Sequence, residues 1–324
     1  MKTISTTSLY LGSALVLSAA VTQPAASADK IIFMKVVPHP FAFLMADVGK
    51  EQGIFKKHGI DLDIIGTRGS AKLHQALAAG SADIGLGSGV GLGFVSKGAP
   101  EIGFLASHGA PLNLGIVVSN NSPLYKKGMS VKDLKGRRIG VSTPSSLTYF
   151  LSRRLAAEQG WGPDGITAVP LGGLSAQLAA AKAGNTAAFV MSIDAGFNLE
   201  SRKSGRVFLA FGDYIKNFHT HVLFVTNKFR NKNPDTVKRF SRAWLESTKY
   251  VLNNKEAMVQ RAIKQLKFNR SVASKSYDIE SPAFSTTGRF NNKALDVIAE
   301  GLVMTKILKT KPDMSKTYTE EYLP

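Results

Sequence analysis

Short apolar runs alternate along the chain with longer segments whose apolar residues recur at helical spacing. In the first part of the chain, this pattern predicts strands at 31–37, 60–65 and 82–86, and helices at about 43–55 and 73–79. A β-α-β-α-β order is typical of a mostly parallel sheet with helices on both faces. In sheets of this kind, ligands bind beyond the carboxyl ends of the strands.

The same pattern recurs farther along the chain, which indicates a second half of similar construction. The further predicted elements are strands at 138–141, 167–170 and 187–191, and helices at 148–159, 175–183, 234–253 and 255–266. The sequence therefore predicts an α/β fold with two lobes, each of them a mostly parallel sheet flanked by helices.

Two apolar, extended-looking segments, 114–118 and 222–226, separate the two halves. We expect them to be the two crossings of the chain between the lobes, which makes a two-stranded hinge. The predicted lobes are residues 29–117 with 223–324, and residues 118–222.

Residues 134–150 give the most informative site signal, because a short strand there leads through a hydroxyl-rich turn directly into a helix. Ser142, Thr143, Ser145 and Ser146 lie where the first helix amides lack intrahelical partners. These amides and hydroxyls can together bind the oxygens of a small anion. Helix capping alone accounts for one of the four hydroxyls.

The first 28 residues have the composition of a secretory signal. Lys2 is followed by an apolar run at 9–21 and then by the small residues Ala26, Ser27 and Ala28. We expect cleavage after Ala28. Since the chain contains no cysteine, it has neither a lipid-anchor site nor a disulfide framework, and we expect a free protein in a bacterial periplasm.

The charge balance favours anionic partners. The chain has 41 Lys and Arg against 23 Asp and Glu, a formal net charge of +18, and such a field attracts anions to the surface and to any cleft. A basic, soluble exterior is the alternative, because the charges are scattered. Export and the lack of a recognisable nucleic-acid motif argue against a nucleic-acid partner.

Several segments carry a resemblance to a known family. They are 51–62 (EQGIFKKHGIDL), 76–85 (ALAAGSADIG), 134–150, and Phe229 with 233–240 (NPDTVKRF). In their order and spacing, the chain resembles the periplasmic solute-binding proteins of the nitrate, sulfonate and taurine class of ABC importers. That group includes binders of the thiamine pyrimidine precursor.

The resemblance implies a type II-like, two-lobed periplasmic binding protein fold that closes on a small solute without changing it chemically. The solute is then delivered to a membrane permease driven by a cytoplasmic ATPase. We therefore expect a monomeric binding protein and not an enzyme, with no cofactor. The solute is expected to be anionic or zwitterionic, and sulfonate, nitrate, carboxylate, heterocycle and zwitterion all remain open.

The strand-end rule and the resemblance together predict the residues that line the cleft: Pro38, His39, Phe41, Thr67, Arg68, Ser88, His108, Thr143, Ser145, Ser146, Tyr149 and Asp194. Each also has an ordinary structural use. Arg68 suits bidentate pairing with a carboxylate or sulfonate, or it is a solvated turn residue. Phe41 and Tyr149 can stack on a ring or fill a core. The histidines can simply bond to their neighbours.

Asp194 marks a departure from the family. Its members often carry an aromatic residue and a proline after the strand that here ends at Met191, whereas this chain continues with Ser192-Ile193-Asp194-Ala195. Asp194 can accept a ligand ammonium, which would favour an amine-bearing solute. It can equally cap the next helix.

Two other classes of protein compete with a binding protein. An enzyme is disfavoured because the chain has no G-x-S-x-G elbow and no evident nucleophile and base pair. His219 and His221 resemble half a metal site, but no third ligand lies near them in sequence, so no metal is predicted. The remaining alternative is a ligand-sensing subunit on the same fold.

Overall fold

The computed structural model describes residues 3, 28–38, 40–126 and 128–324. The predicted export signal, apart from residues 3 and 28, lies outside the described residues, and so does the candidate ligand residue His39. In the part of the chain that is described, no helix has both the length and the apolar composition needed to cross a bilayer.

One sheet is built mainly from the first part of the chain. Its strands are β1 (Asp29–Lys35), β2 (Ile60–Gly66), β3 (Ile84–Ser88), β4 (Glu101–His108) and β10 (His221–Thr226). They are arranged in the order β2-β1-β3-β10-β4. Strand β1 pairs in parallel with β2 and β3, whereas β10 runs antiparallel to β3 and β4. We call this sheet and its helices the first lobe.

The second sheet repeats this plan. Its strands are β5 (Leu114–Ser119), β6 (Arg138–Val141), β7 (Thr167–Pro170), β8 (Ala188–Ser192) and β9 (Gly205–Ala210). The order is β7-β6-β8-β5-β9, with β6 parallel to β7 and β8, and β5 antiparallel to β8 and β9. This sheet and its helices form the second lobe, and the predicted α/β fold with two similar halves is confirmed.

Two connectors, 109–113 and 211–220, carry the chain between the sheets. They lie side by side, since the Thr220 hydroxyl donates a hydrogen bond of 2.9 Å to the Gly109 carbonyl. The extended segments predicted as crossings are strands β5 and β10, which directly follow these connectors. Each enters its sheet from the opposite lobe and runs antiparallel there, so both sheets are mixed. The predicted lobe boundaries after residues 117 and 222 remain a prediction.

The helices cover both sheets. They are α1 (Leu44–Glu51), α2 (Ile54–Lys57), α3 (Ser70–Ala78), α4 (Leu92–Val95), α5 (Leu147–Glu158), α6 (Leu174–Lys182), α7 (Ile193–Ser201), α8 (Asn227–Lys232), α9 (Pro234–Asn253), α10 (Lys255–Leu266), α11 (Arg270–Glu280) and α12 (Asn292–Met304). The helix predicted at 43–55 is divided, because Gly53 adopts a left-handed φ of 70° between α1 and α2. A 3₁₀ turn, Phe41–Phe43, precedes α1.

Aromatic side chains hold α9 on the first sheet. The rings of Phe240 and Trp244 each lie 5.8 Å from that of Phe33, and all three side chains are fully buried. Helix α12 contacts both lobes, because a Cβ atom at Gly301 would lie 2.3 Å from Phe150 of α5, and one at Gly89 would lie 2.7 Å from Ile298. Helix α12, near the carboxyl terminus, therefore joins the two lobes by packing against both.

Candidate functional site

The loops at the carboxyl ends of strands from the two lobes are in contact with one another. After β2, Gly69 approaches Thr143, which follows β6, so closely that a Cβ atom at Gly69 would lie 2.4 Å from Thr143 Cγ2. After β1, the Phe41 amide donates a hydrogen bond of 3.3 Å to Asp194 Oδ2 at the end of β8. These contacts bring together four loops that the sequence places at strand ends, as the geometry of α/β sheets requires.

The hydroxyl-rich turn before α5 contains both a cap and an unpaired group. Ser146 is the N-cap: its hydroxyl accepts the Tyr149 amide at 3.2 Å and donates to the Thr143 carbonyl at 2.6 Å. Ser145 has a left-handed φ of 60° and is half-buried. The Thr143 hydroxyl oxygen is buried without a hydrogen-bond partner among the described residues. The Ser146 hydroxyl is therefore used in capping the helix, whereas the Thr143 hydroxyl can still form a hydrogen bond.

The other first-lobe candidates near this turn differ in exposure. The Thr67 hydroxyl donates to the Val36 carbonyl at 2.8 Å, which holds the loop after β2 against the loop after β1. Arg68 is exposed and lies next to Gly69, the residue that contacts Thr143. Pro38 packs on Gly66, where a Cβ atom would lie 2.6 Å from the Pro38 Cβ. Of these residues, Arg68 has a charged group open to an incoming anion.

A second group of candidates lies across three adjacent strands. Ser88 of β3 and His108 of β4 both pair in register with His221 of β10. The His221 ring packs edge-on against Phe43 at 4.6 Å and against His108 at 5.0 Å. Burial lowers the pKa of His221 to about 3 and that of His108 well below its ordinary value, so both imidazoles are neutral at physiological pH. This group forms an uncharged floor beneath the Phe41–Phe43 turn.

The two histidines His219 and His221 have different contacts. The His219 Nε2 atom accepts the Asn291 amide at 2.8 Å, and its ring packs on Phe290. Among the described residues, no group of three or more histidine and carboxylate side chains is suitably placed to hold a metal ion.

Asp194 has partners that the sequence did not indicate. It is buried in the first turn of α7, and burial raises its pKa. Glu280, the last residue of α11, is also buried, and its Oε2 atom accepts a hydrogen bond of 2.8 Å from the side-chain Nδ2 of Asn113. Burial and the negative charge of Asp194 together raise the pKa of Glu280 well above its ordinary value. No local pattern marks Glu280 or Asn113, because only the apposition of α11, α7 and the first connector brings them to Asp194.

A separate cavity of about 240 Å³ lies at the connectors and not between the strand ends. It is lined on one side by Gly109, Phe218 and His219, and on the other by Ser285 and Arg289. None of the described candidates for ligand binding lines it. We therefore assign the candidate site to the strand-end loops, whose groups converge from both lobes.

Two sheets linked by paired connectors, with their strand ends opposed, define a two-lobed protein of the periplasmic binding protein fold. The NMT1/THI5-like family profile matches residues 41–258. The chain therefore belongs to the NMT1/THI5-like family. No curated protein matches the chain.

Solved structures with low sequence identity share the fold. A Candida albicans gene product with the generic periplasmic binding protein fold is 16% identical, with a TM-score of 0.75 over 91% of this chain and 98% of that one. The alkanesulfonate-binding protein SsuA from Xanthomonas axonopodis pv. citri, bound to MOPS, is 16% identical, with a TM-score of 0.73 over 91% and 99%. The desulfurization enzyme DSZB is 15% identical, with a TM-score of 0.62 over 91% and 97%.

Proposed function

We propose that this chain is the periplasmic solute-binding component of an ABC importer. It captures a small anionic or zwitterionic organic solute between its lobes and delivers it, chemically unchanged, to a permease and its ATPase. Membership of the NMT1/THI5-like family supports a small-molecule ligand, and the fold shared with an alkanesulfonate-binding protein supports capture between lobes. We further propose that the protein is a monomer and that it acts in the periplasm after its signal peptide has been removed.

One observation supports the location that we propose for the solute-binding site. Where the two lobes touch, at Gly69 and Thr143, the Thr143 hydroxyl is buried and lacks a hydrogen-bond partner among the described residues. Leaving such a group unpaired costs about 1–3 kcal/mol. A solute atom that forms a hydrogen bond with this hydroxyl would remove the free-energy cost of leaving it unpaired. The solute would gain this hydrogen bond only when both lobes enclose the solute.

The electrostatics favour an anionic group on the solute. The formal net charge is +18, and Arg68 is exposed one residue before the contact with Thr143. A guanidinium can bind both oxygens of a sulfonate or carboxylate. The amides at the start of α5 provide further donors beside Ser145 and Ser146, as at other helix N-termini that bind anions.

Closure would convert solute binding into a change of shape. The connectors 109–113 and 211–220 are the segments between the two sheets, and we propose that they bend when the cleft opens. A solute that contacts the loops of both lobes binds the closed arrangement more tightly than the open one and so shifts the population towards it.

Titration calorimetry on a panel of alkanesulfonates, nitrate, carboxylates, pyrimidines and zwitterionic amino sulfonates tests this function. We expect one class to bind and Thr143→Val, which keeps the side-chain shape and removes the hydroxyl, to weaken it by about tenfold or more, as loss of a buried hydrogen bond implies. Thr186→Val is the matched control, because that hydroxyl is also buried without a partner among the described residues but precedes β8, at the opposite end of the strand from Asp194.

Two results would contradict the proposal. If Thr143→Val, Thr186→Val and the unmodified chain bind the solute with equal affinity, the binding site does not include Thr143. Conversion of a panel compound, followed by product analysis under the same conditions, would favour an enzyme, a class that the fold also includes through the desulfurization enzyme DSZB.

A further inference from the structure

Two buried carboxyl groups from different lobes, Asp194 and Glu280, are connected through Asn113. Its side-chain amide donates to Glu280, and its backbone carbonyl accepts the N–H of Ile193, the residue before Asp194. Asp194 belongs to α7 of the second lobe, and Glu280 ends α11, which packs against α10 in the first lobe and against α7. The relative exposure of each residue is 1%. Asp194 accepts the Phe41 N–H at 3.3 Å, and the N–H of the next residue, Ala42, lies close enough to Glu280 to lower the pKa of that carboxyl.

The cluster has more acceptors than donors. The hydrogen bonds to it come from the Phe41 amide and the Asn113 side chain, and the Ser192 hydroxyl and the first amides of α7 lie close enough to Asp194 to lower its pKa. Three buried oxygens still lack a partner among the described residues: Asp194 Oδ1, Glu280 Oε1 and Asn113 Oδ1. A proton on one carboxyl supplies the missing donor and removes one of two buried negative charges that would otherwise repel each other.

Among the described residues, neither carboxyl of the pair forms an ion pair, and charged groups on neighbouring elements have other partners. Lys275 of α11 lies over the Phe197 ring and near Glu200 of α7. Further contacts on the adjoining elements join Asp47 with Lys35 and Arg261, Glu51 with Arg261, Asp278 with Lys255, and the neutral His108 with His221.

We propose that Asp194 and Glu280 share one proton and thereby form a proton-operated latch between the lobes. In the protonated latch, one carboxyl is a neutral acid whose hydroxyl is a donor within the cluster; the proton leaves to solvent water when that O–H bond breaks. When that proton leaves, two negative charges face each other in a buried site, and the lobes separate to hydrate them. The latch acts without solute, so it does not depend on the proposed transport function.

The sign of the pH dependence follows from the directions of the pKa shifts. Burial raises the pKa of Asp194 above 3.8, and burial with the neighbouring charge raises that of Glu280 well above 4.5. The closed arrangement therefore holds a proton that exposed carboxyls would have released. Closure is favoured at low pH and is lost as pH rises through the raised pKa of the pair. For one proton, the ratio of closed to open molecules falls by up to about tenfold per pH unit in that window.

Inter-lobe distance measured against pH tests the latch. The chain has no cysteine. Fluorescent labels therefore attach only at two introduced cysteines, Lys182→Cys on α6 and Lys249→Cys on α9, both at exposed positions. Single-molecule energy transfer without solute, from about pH 4 to about pH 8, should show a short-distance population that falls at least about tenfold. Circular dichroism at each pH confirms that the chain stays folded.

Substitutions at the pair separate the latch from general effects of pH. Glu280→Gln offers an N–H to Asp194 at every pH, so the closed population should vary by less than about twofold across the range. Asp194→Asn, in the other lobe, should likewise keep the closed population nearly constant across the pH range. It replaces Glu280→Gln in the experiment if Glu280→Gln does not fold. Asp278→Asn is the matched control, because it removes an exposed carboxyl from the same helix. Its closed population should change with pH as that of the unmodified chain does.

Either of two outcomes would overturn the latch. One is a closed population that does not change with pH in the unmodified chain. The other is a pH response of Glu280→Gln or Asp194→Asn that coincides with that of Asp278→Asn. Since no solute is present, failure of the proposed transport function would alter neither result.

Discussion

Neighbouring hydroxyl residues in the turn before α5 have different roles, although they look equivalent in sequence. Ser146 caps the helix and bonds to the Thr143 carbonyl. Ser145 adopts a left-handed conformation, which costs energy for a residue with a side chain. Thr143 alone keeps a buried hydroxyl without a partner among the described residues. From the sequence, both capping and ligand binding are possible roles for Ser146, and its hydrogen bonds support capping.

These roles predict different effects of two substitutions. Ser146→Ala should lower the free energy of unfolding by about 1 kcal/mol, because α5 loses its cap. Ser145→Gly should leave stability within about 0.5 kcal/mol, because glycine adopts a positive φ without strain, although it adds entropy to the unfolded chain. Urea unfolding of both variants measures this difference.

Ser145→Gly then tests ligand binding without the complication of a lost cap. If Ser145 contacts the solute, calorimetry should show about tenfold weaker binding of the tightest panel compound at unchanged stability. Unchanged affinity would remove Ser145 from the predicted site, and the remaining candidates would stand.

At the scale of elements, strand β10 combines a local pattern with a placement that only packing determines. Its apolar residues mark it as a buried strand, and its observed bounds, His221–Thr226, extend the predicted segment by one residue. Its antiparallel position between β3 and β4 follows from the crossing that precedes it. That placement buries His221 beside His108, and it brings His219 to the Asn291 amide at the start of α12.

The buried histidines predict a loss of stability in acid. Burial lowers the pKa of His221 to about 3 and that of His219 to about 4, against 6.5 for an exposed histidine. Between these values the unfolded chain takes up protons that the folded chain does not, so the free energy of unfolding falls as pH falls. Each histidine contributes up to about 1.4 kcal/mol per pH unit.

Urea unfolding at several pH values between about 7.5 and about 4.5 measures this slope. In His219→Gln, an amide oxygen can still accept the Asn291 amide, and the slope should decrease by about one histidine's contribution. His58→Gln is the control, because that ring is only partly buried and pairs with Glu246. A slope in His219→Gln equal to that of the unmodified chain would contradict this account.

At the scale of the whole molecule, the approach of the two lobes depends on one glycine. A side chain at Gly69 would overlap Thr143 from the other lobe, and its φ of 127° is disfavoured for residues with a Cβ atom. The close fit of the strand-end loops therefore requires glycine at this position.

Gly69→Ala should consequently hinder closure and weaken solute binding by about tenfold or more, since an affinity tied to closure falls with the closed population. Adding Thr143→Ser, which removes the overlapping Cγ2 atom, should restore part of the affinity. Gly80→Ala is the control, because Gly80 also has a positive φ of 72°, but no atom lies within 4 Å of its added Cβ. Calorimetry on these chains measures the effect, and full affinity in Gly69→Ala would show that this contact does not limit closure.

Local sequence patterns were enough to predict β1 to β3, β6 to β8, several of the helices, the repetition of one α/β plan and the loops at those strand ends, but not β4, β9, α7, α11 or α12. These properties follow from local periodicity and from the right-handed winding of α/β units. The bounds predicted for α9 and α10 agree with the structure for the same reason, because their apolar stripes and terminal residues are local signals.

Which loops are in contact, and which polar groups remain unpaired, depends on the tertiary packing and not on local sequence. Phe41 and Asp194 are 153 positions apart, and Asn113 and Glu280 are 167 apart. No local pattern relates residues at such separations, because their contact depends on how two separately formed sheets are opposed after two crossings. The burial that raises the carboxyl pKa values and lowers those of the histidines results from that apposition.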